Sequence, residues 1–124
     1  MQPYKTAAHF HDRGNAVLAR VADILRSELR ETDVAGRLGG DEFVACIDAP
    51  ADLSLVIANK IARRVVDKIG LIGHGIGASV GVSACVESVD LALNEADEAM
   101  YESKKDGKNR STVYRAKPKL AFSA

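Results

Sequence analysis

The stretch "GRLGGDEFVACI", Gly36 to Ile47, decides the fold. Two glycines, Gly39 and Gly40, run directly into two carboxylates, Asp41 and Glu42, with apolar residues on both sides. Val34 to Leu38 and Phe43 to Ile47 read as two short strands bounded by turn residues. The second, "FVACI", is apolar on both faces, which predicts a place inside a covered sheet. The glycines accept positive φ at little steric cost, so "GGDE" reads as a four-residue connection. The whole stretch predicts a β-hairpin that carries two acids at its tip.

Outward from the hairpin, the periodicity is helical on both sides. From Gly14 onward, Leu18, Val21, Leu25 and Leu29 recur at helical steps, with Arg20, Asp23, Arg26 and Glu28 on other faces. After "DAPAD", with Pro50 suited to a first turn, Leu53, Ile57, Ile61, Val65 and Ile69 recur every four residues. Gly70 and Gly73 interrupt that pattern. Then Ile76, Ala78, Val80, Val82, Ala84 and Val86 alternate with small residues, as a strand with one apolar face does. Ser88 is placed to cap a third helix through "VDLALNEADEAMYESKK", and Gly107 suits its C-terminal end. "STVYR" predicts a last strand, and residues 116–124 read as a loosely held tail. The order α-β-β-α-β-α-β implies an α/β fold, a mixed sheet with helices packed on it.

Composition narrows the function classes. At 124 residues the chain has the size of one domain, and 47% hydrophobic residues suit an ordinary core. Lysine plus arginine (17) equals aspartate plus glutamate (17), so no bulk charge draws the chain to nucleic acid or anionic lipid. No apolar run reaches membrane-spanning length, and no signal-peptide pattern opens the chain. Cys46 and Cys85 lie in apolar strand-like segments and read as buried, reduced thiols of a cytosolic protein. His9 and His11 form a His-x-His pair with no third ligand nearby, and they are not read as a metal site.

The hairpin tip has a chemistry of its own. Asp41 and Glu42 offer hard oxygen ligands in a small space, the kind that Mg²⁺ uses together with substrate phosphates. Gly39 and Gly40 let a phosphate or sugar approach the backbone without meeting a Cβ. That combination points to metal-assisted phosphoryl or nucleotidyl transfer. On these four residues alone, a solvated turn is the better reading.

The surroundings change the balance. "GGDEF" following "RETDVAGRL" resembles the GGDEF family of diguanylate cyclases, which join two GTP molecules into cyclic di-GMP and release pyrophosphate. "ASVGV" at 78–82 is similar to the family's strand signature, and "ADEAMYESKKDGKNR" at 96–110 to its closing helix and phosphate-binding segment. The likeness runs from about Gly14 to Tyr114. It implies a nucleotidyl-cyclase palm of ferredoxin-like type, Mg²⁺ or Mn²⁺ as cofactor, an active homodimer, and a role in bacterial signalling in the cytoplasm. It also implies that Asp41 binds metal and helps deprotonate the attacking 3′-hydroxyl, and that Glu42 is the second acidic position. Gly39 and Gly40 would admit substrate, Lys104 would contact GTP phosphates, and Lys108 stands where an arginine is usual. Lysine keeps the charge there but loses the two-point geometry. Arg30 and Asp33, as Arg-x-x-Asp with five residues ("VAGRL") between it and Gly39, resemble the family's inhibitory product site for cyclic di-GMP. Arg63 or Arg64 could add a second guanidinium to it.

The resemblance also has gaps. The family's first strand, with its aspartate metal ligand, and the helix after it are expected to be missing, so residues 1–13 read as an atypical segment and 14–115 as a partial domain. Asn15 stands where the family reads guanine with an aspartate. A carboxylate accepts both donors of that guanine edge, whereas an amide accepts one and opposes the other. A weak or inactive cyclase is therefore expected of this chain alone, the alternative being a non-catalytic module that binds cyclic di-GMP or GTP and regulates a partner. The missing strand would leave "FVACI" or the 76–86 strand with an open edge, to be filled by "PYKTAAHF" (residues 3–10) or by another chain.

Overall fold

The computed structural model describes residues 4–11 and 15–115. The tail expected at residues 116–124 lies outside the described residues. In chain order the elements are β1 (Tyr4–His11), α1 (Asn15–Glu28), β2 (Val34–Gly39), β3 (Glu42–Ala49), α2 (Ser54–Gly70), β4 (Ser79–Cys85), α3 (Val89–Lys105) and β5 (Arg110–Val113). The strands form one sheet in the order β2-β3-β1-β4-β5. All neighbours are antiparallel except β4 and β5.

The expected mixed sheet with flanking helices is what forms, but the first strand, expected to be missing, is present. Of the two fillers expected for the open edge, the chain's own N-terminal residues supply it. Tyr4–His11 occupies the central slot, with Tyr4 opposite Ala49 and His11 opposite Glu42 on one side. On its other side Lys5 lies opposite Cys85 and His9 opposite Gly81. The open edge expected on β3 or β4 is therefore filled by the chain's own residues. The physical reason is that a slot between two strands offers main-chain donors and acceptors on both sides. Such a slot accepts a stretch without strong alternation provided no proline interrupts it, and Pro3 lies just outside the strand. The sheet edges are β2 and β5.

The core lies on one face of the sheet. Along β3, Phe43, Ala45, Ile47 and Ala49 are buried while Val44, Cys46 and Asp48 are half-buried. The buried set packs with Val80 and Val82 of β4, Leu18, Val21 and Leu25 of α1, and Ala62, Val65 and Ile69 of α2. Glu28, almost wholly buried, ties the two helices together by ion pairs to Arg64 Nε at 3.0 Å and to Lys68 Nζ.

The opposite face of β4 explains its small residues. Ser79, Gly81 and Ser83 lie under α3, which meets them with Ala92, Ala96 and Met100. A Cβ on Gly81 would stand 1.8 Å from the Ala96 carbonyl oxygen, so helix and strand backbones are nearly in contact. Ser83 donates to the Ala92 carbonyl, and Ser103 Oγ donates to the Val80 carbonyl at 3.0 Å. Small residues alternate with valines because each face of β4 has a different neighbour.

The helix ends follow the expected chemistry at α3 and depart from it at α2. Ser88 Oγ accepts the Leu91 N–H at 3.1 Å. At the other end the Lys108 N–H returns to the Ser103 carbonyl at 2.9 Å, and Gly107 takes φ +120°. Pro50, expected in the first turn of α2, lies before it instead. Its carbonyl accepts the Leu53 N–H at 3.1 Å, a turn that delays the helix to Ser54. The hairpin connection is also tighter than expected: Gly39 already pairs with Glu42, leaving only Gly40 and Asp41 in the turn.

Candidate functional site

Strand direction gathers the polar candidates. β2 ends at Gly39 and β3 begins at Glu42, opposite His11, the last residue of β1. β4 begins at Ser79 beside Arg110, the first residue of β5. Since His9 lies opposite Gly81, the end of β1 and the start of β4 fall on the same edge of the sheet. That rim therefore collects the hairpin tip with Asp41 and Glu42, Asn15 at the start of α1, and the segment from Lys104 to Lys108 that leads into β5. Arg30 and Asp33 precede β2 and lie at the opposite rim.

The tip is held by a residue outside the expected set. Arg37 donates from Nε to the Gly40 carbonyl at 2.7 Å, and its Nη2 donates to the same oxygen. Gly40 takes φ +49° and Gly39 φ +153°, conformations that a residue with a Cβ enters only with strain. Asp41 is half-buried and Glu42 exposed. The spacing of Arg37 three residues before Gly40 is the signal that could have pointed to this contact, since a tight turn brings such residues together.

Beside the hairpin, a groove of about 390 Å³ opens between α1 and the β2-β3 pair. Asn15 stands at it with the apolar Leu18 and Phe43, and Gly36 and Arg37 complete the hairpin side. A largely apolar surface with one amide, Asn15, and two guanidinium groups, Arg26 and Arg37, can accept a flat, hydrogen-bonding ring. Lys104 is half-buried in the last turn of α3, and Lys108 is exposed at φ +63°. Two rim carboxylates supply hard oxygens suited to Mg²⁺ or Mn²⁺. Among the described residues no group of three or more histidine, cysteine, aspartate or glutamate side chains is placed to hold a metal. The side chains of His9 and His11 lie outside the described residues. Cys46 and Cys85 are both half-buried.

At the far rim, Arg30 and Asp33 meet directly. Asp33 Oδ2 accepts Arg30 Nε and Oδ1 accepts Arg30 Nη2, each at 3.2 Å. The same carboxylate accepts the main-chain N–H of Arg30 and of Asp48, each at 2.8 Å. Arg30 Nη2 also donates to the Asp48 carbonyl. Burial alone pushes the Asp33 carboxyl up, but the Arg30 guanidinium and the two N–H groups outweigh it and hold the pKa below the usual range. The Asp33 hydrogen bond in turn raises the Arg30 guanidinium, with burial opposing it. The Arg30 side chain is still 51% exposed while that of Asp33 is fully covered. Of the two arginines on α2, Arg64 is committed to Glu28, whereas Arg63 is exposed.

The family model described as "Diguanylate cyclase, GGDEF domain" matches residues 8–110. The chain belongs to the GGDEF family. Among curated GGDEF relatives, it is 37% identical to diguanylate cyclase A of Treponema denticola over 110 residues, 83% of this chain and 30% of that protein. It is 34% identical to the probable diguanylate cyclase DgcE of Escherichia coli, over 91% of this chain and 11% of that protein. The chain thus spans less than a third of the length of these relatives. The GGDEF fold is equally plain in solved structures. The active GGEEF domain of a diguanylate cyclase from Vibrio cholerae superposes with TM-score 0.81 at 19% identity, covering 93% of this chain and 85% of that one. The GGDEF domain of DgcB from Caulobacter crescentus, in complex with c-di-GMP, gives 0.78 at 20% identity, covering 90% of this chain and 76% of that one. No helix among the described residues is long and apolar enough to cross a membrane.

Proposed function

We propose that this GGDEF domain is of the diguanylate cyclase type, condensing two GTP into cyclic di-GMP in the bacterial cytoplasm, with two copies facing one another. The observation that carries this reading is the shared rim: Asp41, Glu42, Asn15, Lys104 and Lys108 all lie at one end of the sheet. Asn15 and the apolar groove behind it hold the guanine, Gly39 and Gly40 let the phosphates pass close to the hairpin, and Lys104 and Lys108 balance phosphate charge. Asp41 and Glu42 are the residues that would hold Mg²⁺ or Mn²⁺, and the bound ion would neutralise phosphate charge and favour ionisation of the 3′-hydroxyl. A carboxylate oxygen of Asp41 takes the 3′-hydroxyl proton as the 3′-oxygen bonds to the α-phosphorus of the facing GTP. The bond from that phosphorus to the bridging oxygen breaks, and pyrophosphate leaves. The same displacement with the roles exchanged closes the ring.

Turnover by this chain is proposed to be weak. Only two carboxylates stand at the tip among the described residues, and Asn15 satisfies one guanine donor where an aspartate would satisfy two. A second reading follows from the preformed Arg30–Asp33 fork, whose guanidinium keeps half its surface in solvent. An exposed, oriented guanidinium suits a phosphate or a guanine edge, so the domain would bind cyclic di-GMP there and act as a non-catalytic module. One experiment separates the readings. The purified chain is incubated with GTP and Mg²⁺ or Mn²⁺ while pyrophosphate and cyclic di-GMP are quantified, and both nucleotides are titrated calorimetrically in parallel. Slow product formation supports the cyclase; cyclic di-GMP binding lost in Arg30→Ala, without turnover, supports the module. Absence of both product and binding overturns the two readings together.

A further inference from the structure

The connection from α3 to β5, "DGKNR" at residues 106–110, is strained. Gly107, Lys108 and Asn109 take φ +120°, +63° and +52°, positive values in succession, two of them on residues with a Cβ. Such residues stay in that region only where the surrounding structure holds them, and asparagine accepts it more readily than lysine. Lys108 therefore depends on support from outside itself. Its N–H returns to the Ser103 carbonyl at 2.9 Å, and its own carbonyl accepts Arg110 Nε at 3.1 Å. Both main-chain groups are thus occupied, while the residue stays exposed at the rim that carries Asp41 and Glu42.

A second loop supplies the remaining support. Because β4 and β5 run parallel with Ser79 beside Arg110, the residues that lead into the two strands are neighbours. Before β4 the chain reads "GHGIG", residues 73–77, in which Gly73, His74 and Gly75 also take positive φ. Gly77 does not, so what sets it apart is its missing Cβ rather than its backbone. A Cβ there would stand 1.4 Å from Asn109 Oδ1 and 2.4 Å from Asn109 Cγ. The Asn109 amide thus occupies the space that any other residue at 77 would fill. Seated in that notch, it ties the α3-β5 connection to the α2-β4 loop, one residue from Lys108.

We propose that Asn109 is a positioning residue: its amide, seated on Gly77, holds the connection in its left-handed conformation and so fixes where Lys108 meets phosphate. The α2-β4 loop thereby serves the phosphate site without touching the ligand. The physical gain is preorganisation, since a cation presented in one conformation loses less freedom on binding than one on a loose turn. This role rests on Lys108 contacting phosphate, as proposed above for GTP.

Titration with tripolyphosphate and Mg²⁺, followed by nuclear magnetic resonance, tests it in three variants. Lys108→Ala is expected to weaken binding about tenfold. Asn109→Gly keeps a residue at ease with positive φ but removes the amide, and Gly77→Ala pushes the amide out of its notch. Each should weaken binding about threefold to fivefold, the cost of ordering roughly one residue on binding. In both, the strong intraresidue Hα–HN Overhauser contact of Lys108, the mark of positive φ, should fade in the free protein, with the circular dichroism of the parent retained. The double variant should be no weaker than either single one, because both remove the same contact. If Gly77→Ala fails to fold, Asn109→Gly, which adds no atom, decides alone. Unchanged binding in Asn109→Gly and Gly77→Ala, with Lys108→Ala weakened, would overturn the proposal and leave Lys108 its phosphate. Losses that add in the double variant would overturn it too, since the two residues would then act separately. Unchanged binding in Lys108→Ala would overturn the phosphate reading of Lys108, and the positioning role with it.

Discussion

Arg30 and Asp33 form a two-point fork, Nε to Oδ2 and Nη2 to Oδ1, each at 3.2 Å, around a carboxylate with no solvent exposure. Asp33 also accepts the N–H of Asp48 on β3, so it fastens the α1-β2 loop to the sheet. Hydrogen bonds to a charged group contribute roughly 1.5–3 kcal/mol each when its partners would otherwise be left unsatisfied. Asp33→Ala is expected to cost about 3 kcal/mol in urea unfolding. Arg30→Ala should cost nearer 1 kcal/mol, because the guanidinium is half in solvent and its loss leaves Asp33 with two N–H partners. Equal costs would show that the carboxylate is not the anchor.

The same residue sets an acid limb. The Asp33 pKa is lower folded than unfolded, so the folded state holds fewer protons than the unfolded chain in the window between the two values. Its contribution is complete above the unfolded value, near 3.9, and is lost as pH falls through the folded value. Stability of the parent chain relative to Asp33→Asn is therefore expected to be constant from about pH 7 to pH 5 and to shrink below about pH 4. Denaturant melts at a series of pH values measure it. A difference that stays constant down to about pH 2 would remove Asp33 from the acid response.

Gly81 tests the approach of α3 to the sheet. An added Cβ would lie 1.8 Å from the Ala96 carbonyl oxygen and 2.4 Å from the Met100 nitrogen, both main-chain atoms that cannot swing aside. Gly81→Ala must displace the helix, and overpacking of this kind costs about 3 kcal/mol. Soluble yield and the denaturant midpoint should both fall. Gly36→Ala, where an added Cβ meets nothing within 4 Å, is the control and should cost under about 1 kcal/mol.

Much of the fold is legible in the sequence, and the parts that are not have physical causes. The hairpin, α1, α2 and α3 carry periodicities that depend only on neighbours a few residues away, and they formed close to where those patterns placed them. Tyr4–His11 carries no such pattern. It is a strand because β3 and β4 present hydrogen-bonding edges to it, a fact of tertiary pairing rather than local preference. The Arg30–Asp33 pair was visible as a motif, but its bond to Asp48 spans fifteen residues and emerges only once β3 lies alongside. Arg37 was passed over because arginine in a strand looks like an edge charge. Its role comes from the turn being two residues long rather than four.

Arg37 allows the hairpin tip to be tested apart from its acids. Its side chain holds the Gly40 carbonyl next to Asp41, fixing the turn without itself being one of the two acids. Arg37→Ala is expected to leave unfolding stability within about 1 kcal/mol, since the side chain is exposed and the strand pairing stays. Binding of Mn²⁺ with GTP, read by paramagnetic broadening of tip resonances, should weaken several-fold. Arg37→Lys should rescue little, because one ammonium cannot reproduce the guanidinium's two-point contact on the Gly40 carbonyl. Full rescue by lysine would mean that charge, not turn geometry, was the contribution.

Asn15 is the position at which a single substitution should improve the protein. It opens α1, whose first turn holds no acid, and it stands at the groove beside Leu18 and Phe43. An aspartate there would accept both donors of the guanine edge and remove the opposing amide N–H groups, a gain of about 1.4 kcal/mol or tenfold in affinity. The negative charge would also favour the helix N-terminus by a few tenths of a kcal/mol, whatever the ligand. ATP separates the two effects, since adenine lacks the two-donor edge. Calorimetric titration of Asn15→Asp should show GTP binding about tenfold tighter, ATP binding unchanged, and a small rise in melting temperature. A rise in melting temperature with no change in GTP affinity would confine Asn15 to the helix end and place the guanine elsewhere on the rim.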